Sequence, residues 1–145
     1  MNAEIHAAVS LSVGLAVYFF SKSFLAGAAC FLSGVAPDID HIIEFFMHYN
    51  RKEFSFRRLL SECRETGKES ERGFKKLRLL FHSMELCILL IAAAFITGNI
   101  YVIAVSLGYF SHMALDAIAN PIRASSYFII KRIFVKFDTD KLMKG

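Results

Sequence analysis

Two carboxylates and an imidazole lie within four residues at Asp38, Asp40 and His41, directly after an apolar run that stops at Pro37. Carboxylate oxygens and an imidazole nitrogen together form a ligand set that suits a divalent metal ion. The same residues also suit a plain junction between two helices, with Asp38 capping the second helix. This segment alone does not decide between a metal site and a junction, so the rest of the chain must.

Three other parts of the chain carry histidines or carboxylates at informative positions. His82 and Glu85 are three residues apart, and His112 and Asp116 are four apart, so each pair is expected on one face of a helix. His6 opens the first apolar run. A single such pair is more often an ordinary hydrogen-bonded pair, but pairs on facing helices build carboxylate–histidine metal sites in helical bundles.

We therefore predict one metal site built from all four parts of the chain. The candidate metal ligands are His6, Asp38, Asp40, His41, His82, His112 and Asp116. Glu85 and Asp116 are the candidates for orienting an imidazole or acting as a general base. Ligands and supporting groups cannot be told apart within this set from spacing alone. Oxygen and imidazole ligands favour zinc or manganese, with magnesium as a third option.

Cysteine does not contribute to the predicted site. The chain has three cysteines, Cys30, Cys63 and Cys87, and no Cys-x-x-Cys spacing. An odd number without paired spacing argues against a disulfide framework and against a thiolate zinc site.

The helices that must position these groups are apolar enough to lie in a membrane. The chain has 145 residues, 55% of them hydrophobic, and is expected to form a single membrane domain over residues 1–145. Its mean hydropathy is +0.45. Soluble helices need a polar face, and the uncharged runs here lack one, so we predict an all-α polytopic membrane bundle with about four spanning helices plus interfacial helices. The expected spans are residues 3–20, 24–36, 79–97 and 100–119.

Small residues recur at every fourth position on the first two spans, as Ala26, Cys30 and Gly34 do on the second. Seams of small residues let transmembrane helices approach closely. We expect the first two spans to pack together as a helical hairpin.

Basic residues concentrate outside the apolar runs. Residues 51–78 hold ten Lys and Arg against five acids, and the tail, residues 122–145, adds six more basic residues. Such clusters mark the cytoplasmic side and attract anionic lipid head groups. We therefore expect a multi-pass inner-membrane protein with both termini and the histidine-rich helix ends in the cytoplasm. The basic segment, about 50–79, and the tail are expected at the interface, and nucleic acid is the less favoured partner.

Three motifs resemble those of the predicted membrane-bound metal-dependent hydrolases: Gly-Val-Ala-Pro-Asp-Ile-Asp-His (34–41), Phe-His-Ser-Met-Glu-Leu (81–86) and Gly-Tyr-Phe-Ser-His-Met-Ala-Leu-Asp (108–116). An early His6 and the pair Asn120-Pro121 add to the likeness. That family is also described as LexA-binding, inner-membrane-associated hydrolases, and it is distantly similar to the zinc-dependent phospholipases C. The resemblance implies phosphoester hydrolysis. The chain departs from the family pattern just before His82, where members often carry a histidine followed by an arginine and residues 75–81 of this chain contain no histidine.

Three functions compete at this point. The first is a metal-dependent hydrolase of a phosphoester or lipid-linked substrate at the cytoplasmic face, with the basic segment holding anionic head groups. The alternative is a non-enzymatic membrane protein that binds a regulatory protein through the basic segment. An ion or proton carrier is least favoured, because the outer half of the bundle offers only serine and glycine.

Overall fold

The computed structural model describes residues 3–48, 79–119 and 123–142, and the regular elements in these ranges are all helical. The helices are α1 (Ala3–Ser21), α2 (Phe24–Val35), α3 (Ile39–His48), α4 (Met84–Thr97), α5 (Ile100–Ala119), α6 (Ile129–Phe134) and α7 (Thr139–Leu142). Short 3₁₀ turns cover Ala36–Asp38 and Ala124–Tyr127. The predicted all-α class is confirmed. The basic segment lies outside the described residues apart from its last position.

Two helices in the described ranges are long and apolar enough to cross a membrane, over Glu4–Ser21 in α1 and Ile100–Ala119 in α5. The other two expected spans are shorter, with 12 residues in α2 and 14 in α4. At 1.5 Å per residue they rise about 18 and 21 Å, against a hydrocarbon core of about 30 Å. The expectation of about four full spans is therefore supported for two helices only.

Local signals explain where the short helices begin and end. Ser23 caps α2 and Ser83 caps α4, each side chain accepting a hydrogen bond from a backbone N–H three residues later. Pro37 stops α2, and the chain passes through a 3₁₀ turn before α3 begins. Gly98, with φ of 58°, ends α4 in the left-handed conformation that glycine adopts without strain. The expected third span starts at Met84 rather than near Leu79 because Ser83 is its cap.

Helix α5 lies at the centre of the bundle and packs against α1, α2 and α4, while α1 packs against α2. Two glycines permit the contact between α2 and its neighbours. A side chain at Gly108 would overlap the carbonyl oxygen of Cys30, and one at Gly34 would overlap Ser10. The predicted hairpin of the first two helices is thus confirmed, and its small-residue seam also faces α5.

The bundle reverses the polarity of a water-soluble fold. Large apolar side chains point outward, with Phe20 91% exposed, Phe95 86% and Ile96 85%. Polar side chains such as Ser10, Ser106 and Asp116 are buried instead. A wide apolar surface around a polar interior is expected when lipid rather than water surrounds the helices.

The residues after α5 fold back against the end of the bundle. Tyr127, Arg132 and Leu142 are each at most 1% exposed, and the Tyr127 hydroxyl donates to the Asp116 carbonyl oxygen at 3.2 Å. This part of the chain, which the sequence analysis expected at the interface, therefore supplies buried residues close to the C-terminal end of α5.

Candidate metal centre

Four helix ends bring the predicted ligands together. His6 lies near the start of α1, Asp38 follows the end of α2, His82 precedes the start of α4, and Asp116 lies near the end of α5. His6, His82, His112 and Asp116 are all at most 2% exposed. The convergence that the sequence analysis inferred from separate segments is thus present at one end of the bundle.

Three ligand atoms form a nearly regular triangle at the centre of this cluster. The Nε2 atoms of His82 and His112 are 3.2 Å apart. Oδ2 of Asp116 lies 3.3 Å from Nε2 of His82 and 3.5 Å from Nε2 of His112. Zinc ligands at about 2.0–2.1 Å in a tetrahedron are about 3.3–3.4 Å from one another, because a tetrahedral edge is about 1.63 bond lengths. The triangle therefore has the dimensions of one face of a zinc coordination tetrahedron.

The other nitrogen of each ring indicates which tautomer is present. Nδ1 of His112 lies 2.7 Å from the carbonyl oxygen of Gly34, which can only accept a hydrogen bond. Nδ1 of His82 lies 3.2 Å from the carboxylate of Asp40. In the neutral form of each ring the proton therefore lies on Nδ1, which leaves the Nε2 lone pair directed into the triangle. Two nitrogen lone pairs and a carboxylate oxygen repel one another unless a cation lies between them, as in carboxylate–histidine–zinc sites.

His6 and Asp38 extend the cluster beyond the triangle. Nε2 of His6 lies 3.0 Å from Oδ1 of Asp116, and the His6 ring stacks on His112 at 4.0 Å between centroids. Nδ1 of His6 is buried without a hydrogen-bond partner among the described residues. His6, Asp38 and His112 each offer a ligand atom within 4.8 Å of the other two. The cluster therefore contains more possible metal-ligand atoms than hydrogen bonding between paired side chains would require.

His41 completes a further group on the more open side. Its ring lies 5.1 Å from that of His82, and its ligand atom is within 4.8 Å of those of Asp38 and His82. Desolvation by the surrounding protein, reinforced by the neighbouring His82, lowers the pKa of His41 to about 3. The ring is consequently neutral at physiological pH and keeps a lone pair for a metal ion.

Asp40 is buried but belongs to none of the three groups of ligand atoms among the described residues. Its Oδ2 faces Nδ1 of His82 and also accepts hydrogen bonds from the backbone N–H groups of Phe81 and His82. This predicted ligand therefore orients the His82 imidazole and holds its loop.

Glu85, a predicted catalytic residue, is also outside these groups. Its two carboxylate oxygens accept hydrogen bonds from the backbone N–H groups of Ile129 at 2.9 Å and Ile130 at 3.1 Å. Ser83 donates a third bond at 2.9 Å. Glu85 thus anchors the start of α6 rather than meeting the imidazoles.

Two supporting residues escaped the sequence analysis. The buried Arg132 guanidinium donates to the backbone carbonyls of Leu79 and His82, and the Tyr109 hydroxyl accepts from the Ser83 N–H at 3.1 Å. The sequence signal was an arginine beside Lys131 within an apolar stretch. Such a pattern does not indicate which of two adjacent basic residues is buried.

Comparisons with known proteins place the site within a membrane family. The family model described as YdjM inner membrane protein matches residues 1–124. No curated protein and no solved structure matches the chain. The matched range contains every side chain of the cluster and stops before α6.

Proposed function

The chain belongs to the YdjM inner membrane protein family, and from its buried histidine–carboxylate cluster we propose that it is a membrane-embedded, zinc-dependent hydrolase of a phosphoester or lipid-linked substrate. The single observation that supports this proposal best is the triangle of His82, His112 and Asp116, in which three atoms able to bind a metal lie 3.2–3.5 Å apart in a buried site. Zinc fits these separations better than magnesium, which prefers octahedral oxygen ligands and retains water. Manganese is the second candidate metal.

In this proposal each polar side chain has a role set by its contacts. His82, His112 and Asp116 would hold the ion, and Asp40, which faces Nδ1 of His82, would keep that imidazole in the tautomer able to bind it. A bound zinc ion lowers the pKa of water and polarises a phosphoryl oxygen. Asp38 has a side chain that is 20% exposed, so it faces the approach to the site and can accept a proton from water.

We further propose that all four long helices lie in the bilayer, with α2 and α4 too short to cross it fully. The candidate metal centre lies at the N-terminal end of α1 and the C-terminal end of α5, and in the sequence the basic segment follows α3 and the basic tail follows α5. By the positive-inside rule, this end faces the cytoplasm. The basic segment would then attract the anionic head groups of substrate lipids.

Reporter fusions are expected to place both chain termini in the cytoplasm and the turn at Lys22 outside. Green fluorescent protein fused after residue 145 should fluoresce, and alkaline phosphatase inserted at Lys22 should be active. The reciprocal pair of fusions serves as the control and should give no signal. Active phosphatase at residue 145 would contradict the orientation, because this enzyme folds only outside the cytoplasm.

The purified protein in phosphatidylglycerol-containing nanodiscs is expected to retain about one zinc ion per chain and to hydrolyse a phosphoester. Metal content is measured by mass spectrometry. Hydrolysis is measured with phosphatidylglycerol and with a chromogenic phosphodiester, before and after treatment with a chelator. Zinc retained without hydrolysis of either substrate would overturn the enzymatic proposal, and an absence of both zinc and manganese would overturn the metal site as well.

A further inference from the structure

We propose that Arg132 is a positioning residue for the metal centre, because it holds in place the loop that carries His82. The inference rests on the proposed zinc site but concerns a residue outside the range matched by the family model, 1–124. The loop, residues 79–83, precedes α4, and of its residues Ser83 accepts a helical hydrogen bond, from the Cys87 N–H at 3.2 Å, while residues 79–82 lie outside the helix. Its position therefore depends on side chains from other elements.

Among the described residues, Arg132 is one of three side chains that hydrogen-bond to the backbone of this loop, together with Asp40 and Tyr109. It is 1% exposed, and its Nε donates to the carbonyl oxygen of Ser126 at 2.6 Å. Its two terminal nitrogens donate to the carbonyl oxygens of Leu79 and His82. The planar guanidinium has its donors in a fixed fork, so it sets the positions of these two loop carbonyls relative to each other.

The loop is held from the opposite side by Asp40. This carboxylate accepts hydrogen bonds from the N–H groups of Phe81 and His82, while Arg132 binds the carbonyl oxygen of His82. The backbone of His82 is thus held between a carboxylate of α3 and a guanidinium of α6. A movement of either group displaces the imidazole that faces His112 at 3.2 Å.

Helix α6 is in turn held by α4, the helix that follows the His82 loop. Glu85, in the first turn of α4, accepts hydrogen bonds from the backbone N–H groups of Ile129 and Ile130 at the start of α6. Arg132 follows one turn of helix later and reaches back to the loop before α4. This reciprocal arrangement explains why a charged side chain is buried here, although desolvation lowers the pKa of Arg132. Nearby Asp40 and Glu85 offset that cost.

The test compares Arg132→Lys with Lys131→Ala, a matched change at the neighbouring lysine, whose Nζ binds Ser125 at the surface. Lysine keeps the charge but cannot supply three donors in the required fork. In the metal-free protein, Arg132→Lys should speed amide hydrogen exchange at Phe81 and His82 about tenfold or more, with Cys30 in α2 unchanged. It should also weaken zinc binding about 10–100-fold, as for other residues that orient metal ligands. Lys131→Ala should change neither measurement.

Unchanged exchange and unchanged zinc affinity in Arg132→Lys would overturn the proposal. If this variant does not fold, hydrogen exchange of the wild-type protein with and without zinc tests the proposal instead. Coupling between two sites is reciprocal, so zinc should slow exchange at Arg132 in α6 and at Val135, the residue that follows α6, more than at Cys30. Equal slowing at all three positions would overturn the proposal. If the wild-type protein binds no zinc but Arg132→Lys still speeds loop exchange, the proposed zinc-dependent function is overturned. The role of Arg132 in holding the His82 loop would then still be supported.

Discussion

Replacing Asp116 by asparagine is expected to weaken zinc binding by more than about 100-fold, equivalent to about 2.7 kcal/mol, and to abolish hydrolysis. Asp116 contacts all three buried imidazoles, with Oδ1 3.0 Å from His6 and Oδ2 3.3 and 3.5 Å from His82 and His112. Asparagine keeps the size of the side chain but removes the negative charge that the ion needs. Zinc affinity is measured by competition with a chromophoric chelator in detergent micelles.

The control for this substitution is Asp138→Asn. Asp138 is a surface carboxylate whose side chain is 40% exposed and lies 3.7 Å from Lys141. Its removal should leave zinc affinity and hydrolysis at wild-type values, because exposed pairs of this kind contribute little. Wild-type zinc affinity in Asp116→Asn would show that the triangle is not the binding site.

Zinc is expected to raise the unfolding temperature of the purified protein by roughly 10 °C at a free concentration about 1,000 times Kd. Binding to the folded state alone stabilises it by about 4 kcal/mol under those conditions. A domain of this size gains about 2–4 °C per kcal/mol. The physical cause is the convergence of acceptor atoms from the His82 loop and from α5, whose mutual repulsion the cation relieves. Differential scanning fluorimetry in detergent measures the shift, and a chelator should reverse it.

Two controls test whether the rise in unfolding temperature comes from zinc bound at this centre. Magnesium at the same concentration should produce little change, because the imidazole-rich triangle does not offer the octahedral oxygen shell that magnesium prefers. Zinc should also produce little change in Asp116→Asn. An equal shift with magnesium, or a full zinc shift in the variant, would contradict the assignment of the stabilisation to this centre.

Helical periodicity predicted part of the site correctly and failed where the helix had not yet begun. His112 and Asp116 lie within α5, so their four-residue spacing places Nε2 and Oδ2 3.5 Å apart, as a helix requires. His82 and Glu85 were expected on one helical face in the same way. Because Ser83 caps α4, His82 lies in the preceding loop and the two side chains diverge. The cap at Ser83 therefore explains why His82 is a candidate ligand while Glu85 instead anchors α6.

The apolar runs, the breaks at Pro37 and Gly98, and the placement of histidines and carboxylates at run ends are properties of the sequence itself. They determined an all-helical, membrane-associated chain with its ionisable groups at helix termini, because lipid tolerates such groups only in a protected interior. Only the tertiary structure decided which groups meet. Asp40 binds the backbone of the His82 loop, and Arg132 is buried while the neighbouring Lys131 is at the surface. These contacts join segments that are distant in sequence, so local residue spacing could not predict them.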